Sequence, residues 1–266
     1  CLKGIMTEVR AKKALGQHFL VDLNIARKIC DALSGGTAEA PAPVLEVGCG
    51  MGVLTQFLLR RSDIVIWGAE IDPESVAYLH AHYPEFAPRL VAGDFLGMNL
   101  RERFPEGLKI IGNFPYNISS QIFFKVLENR DLVPECVGMI QKEVAVRLAE
   151  PPGSKEYGIL SVLLQAWYDI EYLFTVGEKV FNPPPKVDSS FMVLEKLEQP
   201  SVNAGDEEIF TRLVRSAFAM RRKTLFHEAK QRRVIASAAA DDNLARPILR
   251  QNIAFIRIRN RVRSQV

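Results

Sequence analysis

Short apolar runs alternate with helical patterns between residues 44 and 150 of this 266-residue chain. Val44–Val47 and Asp63–Ala69 are two such runs, and apolar residues at helical spacing follow each of them. Strands are predicted at 44–47, 63–69, 89–92, 109–112 and 136–141, and helices at 53–60, from 73 onward, at 119–128 and at 142–150. Strands joined by helices in this order form a mostly parallel sheet that is covered on both faces. The sequence therefore predicts an α/β fold.

After residue 150 the predicted elements are a helix, two strands separated by a proline-rich loop, and a helical C-terminal part. A helix is predicted at 159–168, a strand at 170–176 and a closing antiparallel strand at 189–197, with a helical pattern from 206 onward. Three successive prolines make 181–186 an extended loop, since proline fits neither a helix nor a ladder. We predict a large domain over 1–200, whose residues 1–20 form a basic N-terminal segment, and a small, basic, helical domain over 201–266.

The first predicted strand ends in a turn that carries Gly48, Gly50 and Gly52. Such a turn lets the backbone approach a ligand closely, although its spacing is not the GxGxxG of dinucleotide binders. Glu70 ends the second strand, where a carboxylate can accept both ribose hydroxyls of a nucleoside. Asp94 follows the third strand, where it can accept a hydrogen bond from an adenine amino group. This combination indicates a site for S-adenosylmethionine.

The segment Asn113–Tyr116 lies where the fourth strand leaves the sheet, at the edge where ligands bind in open α/β folds. The amine N6 of adenine is a poor nucleophile because its lone pair is delocalised into the ring. If the Asn113 side-chain oxygen and the Phe114 carbonyl each accept one N6–H, the lone pair becomes available for a methyl group. In this scheme Pro115 stiffens the turn and Tyr116 stacks on the base, while the Phe114 ring has no role. Positioning and electrostatics supply the catalysis.

Phe181 is the candidate for the other face of the base. It precedes Asn182 and the three prolines Pro183–Pro185, and a rigid loop of this kind favours an exposed ring. An exposed ring can stack on an extruded adenine opposite Tyr116, a contact worth about 1–3 kcal/mol. The sequence thus predicts that Phe181 and Tyr116 hold the base between them.

Charge is distributed unevenly along the chain, although the net charge is only +3. Arg212–Val266 carries fourteen lysines and arginines and three acids, whereas the remainder carries 20 basic and 28 acidic residues. A basic C-terminal part on an acidic body predicts a surface that binds a polyanion.

The four cysteines, Cys1, Cys30, Cys49 and Cys136, form no CxxC pair and lie beside no histidine at metal-ligand spacing. No metal is therefore expected, and the cysteines are expected to be free thiols in a reducing compartment. No apolar run approaches the roughly 20 residues that a membrane span needs. These features predict a cytoplasmic protein with no contact with a membrane.

Taken together, the motifs resemble those of the KsgA family of ribosomal RNA adenine N6,N6-dimethyltransferases, over roughly residues 11 to 225. The matching segments are Lys13–Leu20, Glu46–Gly50, Gly112–Ser119, Gln141–Ala145, Phe181–Ser189 and Arg221–Leu225. The resemblance implies a class I, Rossmann-like methyltransferase sheet with a small helical C-terminal domain. It also implies a monomer that binds the small ribosomal subunit, not duplex DNA, and takes part in ribosome biogenesis.

The expected reaction dimethylates two adjacent adenosines in the hairpin near the 3′ end of 16S ribosomal RNA. The residues that the resemblance assigns to the cofactor are Gln17, His18, Leu20, Gly48, Gly50, Glu70, Ile71, Asp94 and Asn113. Those assigned to catalysis are Asn113, Phe114 and Tyr116, and those assigned to RNA are Arg221, Arg222 and Lys223.

The chain departs from the usual family pattern at three places. Phe114 stands where leucine is common, Cys49 stands where proline is common, and the segment after Leu225 does not follow the usual ending. Three alternatives stay open: a large-subunit ribosomal RNA adenine methyltransferase of the antibiotic-resistance type, a ribosome-assembly or transcription factor that keeps the fold for binding, and a DNA adenine methyltransferase. The chain shows no segment suited to reading duplex sequence, which disfavours the last of these.

Overall fold

A computed structural model describes residues 9–151, 157–202 and 205–219. Its strands are β1 (Phe19–Leu20), β2 (Ala42–Val47), β3 (Ile64–Glu70), β4 (Leu90–Ala92), β5 (Lys109–Asn113), β6 (Glu135–Gln141), β7 (Tyr168–Val176), β8 (Phe181–Asn182) and β9 (Ser189–Lys196). Its α-helices are α1 (Leu23–Ala32), α2 (Thr55–Leu58), α3 (Pro73–His82), α4 (Leu100–Arg103), α5 (Ser119–Glu128), α6 (Lys142–Ala149), α7 (Ile159–Gln165) and α8 (Glu207–Ala219). The helix predicted at 53–60 is therefore shortened to α2.

Seven strands form one sheet in the order β4-β3-β2-β5-β6-β9-β7. The five strands from β4 to β6 pair in parallel, and β9 pairs antiparallel to β6. The predicted α/β fold and the antiparallel closing strand are both confirmed. Because the strands next to β2 run in the same direction, the carboxyl ends of β2, β3 and β5 meet at one edge of the sheet.

Helix α1 shows how the sequence places an apolar face on this sheet. The Asp22 carboxylate accepts hydrogen bonds from the N–H groups of Asn24 and Ile25, at 2.8 and 3.1 Å, and so caps the helix. Ala26, Ile29 and Cys30 recur at helical spacing and are buried in the main hydrophobic core.

A second, two-stranded sheet joins two segments that are far apart in the chain. Phe19 pairs with Asn182, and Leu20 pairs with Phe181, in antiparallel register. The prediction that 181–186 lies outside any ladder is wrong for its first two residues, because the prolines begin only at Pro183. The N-terminal segment is consequently tied to the proline-rich loop.

The described chain divides into two compact units. The first comprises the described residues up to Ala145 together with Ile170–Lys196, and the second comprises the described residues of Val146–Asp169 and those from Leu197 onward. In this grouping Val146–Asp169 joins the later part of the chain, and the domain boundary near residue 200 stays a prediction. Within the second unit, the Trp167 ring packs edge-on against the Phe210 ring of α8, with centroids 5.4 Å apart.

Arg221, Arg222 and Lys223, the predicted RNA-binding residues, lie outside the described residues. In the part of the chain that the structure describes, no helix is long and apolar enough to cross a bilayer.

Candidate active site

A cavity opens at the carboxyl ends of β2, β3 and β5, beneath the segment that precedes α1. Every residue assigned to the cofactor lines it: Gln17, His18, Leu20, Gly48, Gly50, Glu70, Ile71, Asp94 and Asn113. Phe114 and Tyr116 line it as well, whereas Phe181 does not. Side chains from five separate stretches of sequence therefore meet around one space.

The glycine turn after β2 needs its glycines. Gly48, Gly50 and Gly52 have positive φ angles of 75°, 54° and 79°, which side chains with a Cβ rarely adopt. A Cβ at Gly50 would also lie 3.1 Å from the Phe19 ring. The turn thus leaves its backbone open toward the cavity.

Glu70 joins this turn to the end of β3. Its Oε2 accepts a hydrogen bond from the Gly50 N–H at 2.8 Å, and its Oε1 accepts one from the Asp72 N–H at 2.9 Å. Burial raises the pKa of the Glu70 carboxyl, although these two N–H groups oppose the shift. The carboxylate is thereby held in one orientation, and each oxygen keeps a lone pair for a ligand.

Ile71 and Asp94 complete this side of the cavity. The Ile71 side chain is 50% exposed although it is large and apolar, so its surface is available to pack on a flat ligand. Asp94 accepts a hydrogen bond from the Leu96 N–H at 2.9 Å, which fixes one carboxylate oxygen. An apolar side chain and two hydrogen-bonded carboxylates that line one cavity suit an adenosine moiety.

Glu46 is a lining residue to which sequence reasoning assigned no role. Its side chain is buried and accepts a hydrogen bond from the Thr55 hydroxyl at 2.6 Å. Burial raises the pKa of Glu46 to about 8, against the effect of the Thr55 hydroxyl, and so favours the neutral form of the carboxyl. The available signal was its position two residues before Gly48, within the same turn motif.

The segment over the cavity is anchored to Asp72 at the start of α3. The Lys12 ammonium pairs with the Asp72 carboxylate, and the Gln17 amide donates to the same carboxylate at 3.3 Å. The Gln17 side-chain oxygen also accepts from the Lys12 N–H at 2.8 Å. Gln17 is therefore placed by two contacts at the rim of the site.

Asn113 ends β5 with its side chain oriented by the same segment. Its Nδ2 donates to the His18 carbonyl at 2.9 Å, which leaves Oδ1 as the atom that can accept a hydrogen bond. Among the described residues no donor reaches either Asn113 Oδ1 or the carbonyl oxygen of Phe114. Two acceptors without a partner thus lie on consecutive residues at the cavity.

The Phe114 ring fills a space that two glycines leave open. It is 1% exposed and meets the Phe123 ring edge-on, with centroids 5.9 Å apart. A Cβ at Gly138 would lie 2.5 Å from a ring carbon of Phe114, and one at Gly112 would lie 2.8 Å from another. The aromatic residue at the second position of the motif therefore has a packing role.

This packing predicts a mutual compensation. We expect Gly138→Ala to lower the free energy of unfolding by about 1–3 kcal/mol, since the added methyl overlaps the Phe114 ring. Phe114→Leu removes the outer ring carbons, so the double variant should be more stable than Gly138→Ala alone. Urea unfolding measures both. Gly97→Ala, at a position with no atom within 4 Å of the new Cβ, is the control; equal losses at both glycines would contradict the packing argument.

Tyr116 is held at its hydroxyl and on its ring. The hydroxyl shares a hydrogen bond with the Ser189 hydroxyl at the start of β9, and the His18 ring lies 5.2 Å away, centroid to centroid. Burial raises the pKa of Tyr116, so its hydroxyl stays protonated at neutral pH. Sequence reasoning missed Ser189, although it ends the motif that begins at Phe181.

The predicted exposure of Phe181 is wrong. Its side chain is 3% exposed and belongs to the hydrophobic core together with Leu20. Pairing of β8 with β1 accounts for this, because it places the ring in the core instead of the cavity. The proline-rich loop contacts the site through its backbone: the Pro183 carbonyl accepts a hydrogen bond from Nδ1 of the lining residue His18 at 2.8 Å.

No group of three or more histidine, cysteine, aspartate or glutamate side chains that could hold a metal occurs in the described ranges. Whether the reaction uses a metal stays a matter of prediction.

A family model described as ribosomal RNA adenine dimethylase matches residues 8–246 of the chain. A relative from Parabacteroides distasonis named ribosomal RNA small subunit methyltransferase A is 54% identical over 226 residues, which cover 85% of this chain and 83% of the relative. The protein of the same name from Porphyromonas gingivalis is 56% identical over 223 residues, covering 83% and 84%.

Two solved structures share the fold. A dimethyladenosine transferase from Plasmodium falciparum is 30% identical with a TM-score of 0.68, covering 83% of this chain and 78% of that one. The 23S rRNA methyltransferase ErmE is 25% identical with a TM-score of 0.66, covering 88% and 98%. The predicted class I, Rossmann-like methyltransferase fold and the resemblance to KsgA are both confirmed. The chain belongs to the ribosomal RNA adenine dimethylase family.

Proposed function

We propose that this chain transfers methyl groups from S-adenosylmethionine to N6 of two adjacent adenosines in the 3′-end hairpin of 16S ribosomal RNA, giving N6,N6-dimethyladenosines. The observation that carries the proposal is a pair of acceptors at the cavity that also holds Glu70: no donor among the described residues reaches Asn113 Oδ1 or the Phe114 carbonyl. The small-subunit methyltransferase names of relatives at 54% and 56% identity support the choice of RNA.

The cofactor fits the half of the cavity around Glu70. When bound, S-adenosylmethionine supplies an electrophilic methyl group on a positively charged sulfur. Glu70 would accept the ribose hydroxyls, Asp94 the adenine amine, and Ile71 would pack on the adenine ring. The glycine turn would approach the ligand through backbone alone. Gln17, His18, Leu20, Gly48 and Gly50 are the further lining residues that we assign to the cofactor.

The acceptor adenine fits the half around Asn113. Its N6 carries two hydrogens, and Asn113 Oδ1 and the Phe114 carbonyl offer one acceptor for each. Both hydrogen bonds draw N6 away from planar geometry, so its lone pair turns toward the methyl group. N6 would take the methyl as the S–CH3 bond breaks, leaving neutral S-adenosylhomocysteine, and would then release one proton to solvent. In the second transfer the one remaining N6–H would engage one of the two acceptors. Pro115 restricts the backbone that aims the carbonyl, and Tyr116 offers a ring for stacking. Stacking contributes about 1–3 kcal/mol, against a few kcal/mol for extruding the base.

The proposal extends to the partner and its location. Arg221, Arg222 and Lys223 would contact RNA phosphates, which the basic charge of the C-terminal part supports. We propose a cytoplasmic monomer that acts on the small ribosomal subunit, uses no metal and does not bind duplex DNA. A role in subunit assembly is compatible with the same contacts.

Primer extension on isolated subunits tests the proposal. Small subunits that lack this modification are incubated with the protein and S-adenosylmethionine, and their RNA is then reverse transcribed. Dimethylated adenine cannot pair normally, so two adjacent stops should appear in the 3′-end hairpin and should be absent without cofactor. Large subunits are treated in parallel, since ErmE is a 23S rRNA methyltransferase. Stops on large subunits alone would replace the small-subunit assignment with that activity.

A further inference from the structure

Tyr116 is anchored to a strand that lies far from it in the chain. Its hydroxyl and the Ser189 hydroxyl are joined by a hydrogen bond, and the Ser189 side chain is completely buried. Ser189 itself is fixed in the sheet, where it pairs with Gln141 at the end of β6. The Tyr116 ring is therefore held at its hydroxyl by a residue of the central sheet.

The neighbouring residue makes the same contact elsewhere. Ser190 is also completely buried, and its hydroxyl lies 2.6 Å from the hydroxyl of Tyr172 on β7. Successive side chains of a strand point to opposite faces, so Ser189 reaches the Tyr116 ring while Ser190 reaches a different tyrosine. Tyr172 does not line the cavity, whereas Tyr116 does. The two pairs have the same chemistry, but only one of them reaches the site.

We propose that Ser189 is a positioning residue for methyl transfer, acting through the Tyr116 hydroxyl. The inference rests on the proposed function, in which the Tyr116 ring stacks on the acceptor adenine. A tyrosine side chain pivots about two bonds near its backbone, so its ring can swing unless the far end is held. The hydrogen bond to Ser189 holds that end, and the His18 ring limits motion from another side.

A fixed ring matters because the acceptor amine must meet a methyl group at a defined distance and angle. A displacement of about 1 Å at a reacting group can cost about 100-fold in rate. If the ring defines the plane of the base, releasing it moves N6 relative to Asn113 and the Phe114 carbonyl. Cofactor binding should be untouched, since the ribose and adenine contacts proposed above involve neither Ser189 nor Tyr116.

The test is a set of variants on small ribosomal subunits under saturating cofactor. We expect Ser189→Ala to lower the rate of methyl transfer by about 10- to 100-fold, and Tyr116→Phe, which loses the same hydrogen bond, to lower it at least as far. In the Tyr116→Phe background, Ser189→Ala should cause no further loss. The dissociation constant for S-adenosylhomocysteine, measured by calorimetry, should be unchanged in Ser189→Ala.

Ser190→Ala is the control, since it removes an equally buried hydroxyl with a tyrosine partner, although the Tyr172 hydroxyl also lies 2.6 Å from the Thr175 hydroxyl. It should lower the melting temperature by no more than Ser189→Ala does, since Tyr172 keeps Thr175 as a partner, and it should leave the transfer rate at the wild-type value. An undiminished rate in Ser189→Ala would overturn the inference, as would a full additional loss in the Tyr116→Phe background. Failure of the proposed function would look different, because the wild-type protein would then give no paired stops.

Discussion

Asn113→Ala is expected to lower the rate of methyl transfer by at least about 10³-fold. The variant loses Oδ1, one of the two acceptors proposed to orient the amine, and it loses the Nδ2–H that bonds the His18 carbonyl at 2.9 Å. Raising the concentration of S-adenosylmethionine should not restore the rate, because the missing group acts on the acceptor. Single-turnover transfer of labelled methyl groups to small subunits measures this effect.

Cofactor affinity should change far less in the same variant. A lost neutral hydrogen bond accounts for about tenfold in the dissociation constant at most, which calorimetry with S-adenosylhomocysteine can check. Asn99→Ala is the control, since Asn99 caps α4 by accepting from the Glu102 N–H and does not line the cavity. Near-normal turnover of Asn113→Ala would show that the amine is not activated in the proposed way.

Glu70→Ala is expected to weaken cofactor binding by at least about 100-fold, because two hydrogen bonds from ribose hydroxyls to a charged group are lost. The N–H groups of Gly50 and Asp72 also lose their acceptor, so the glycine turn loosens and the melting temperature falls. Unlike the loss in Asn113→Ala, the loss of transfer should be partly recovered at high cofactor concentration.

The amide variant Glu70→Gln tests whether cofactor affinity depends on the carboxylate of Glu70 or only on the size of its side chain. The glutamine side chain has one oxygen, so it can accept a hydrogen bond from the N–H of either Gly50 or Asp72 but not from both. Its amide N–H group then faces the second backbone N–H, and two donors cannot form a hydrogen bond. We therefore expect it to lose affinity almost as Glu70→Ala does. Glu74→Ala, which removes a carboxylate that is 55% exposed, should change affinity by no more than about twofold. Wild-type affinity in Glu70→Gln would mean that the carboxylate does not hold the ribose.

Local patterns predicted most of the site because its residues lie at strand ends. Apolar runs separate β2, β3 and β5 clearly, and parallel pairing forces their carboxyl ends together. The glycine turn, Glu70 and Asn113 follow from that rule alone. The same reasoning predicted the antiparallel closing strand, β9.

Local sequence patterns did not predict the long-range contacts, because these contacts depend on which distant segments pair. Phe181 follows a pattern typical of an exposed loop, yet its strand pairs with Phe19–Leu20 and its ring enters the core. A window of residues around Phe181 contains neither Phe19 nor Leu20.

The sequence by itself determined which groups the proposed chemistry uses, an acid at the end of β3 and an Asn113–Tyr116 turn at the end of β5, because motif spacing and strand periodicity are local properties. Only the tertiary structure decided how that chemistry is held in place. Asn113 is oriented by the His18 carbonyl, Tyr116 by Ser189, and Phe114 fills the space left by Gly138. These contacts join residues between 24 and 95 positions apart in the chain, so they exist only once the sheet has assembled.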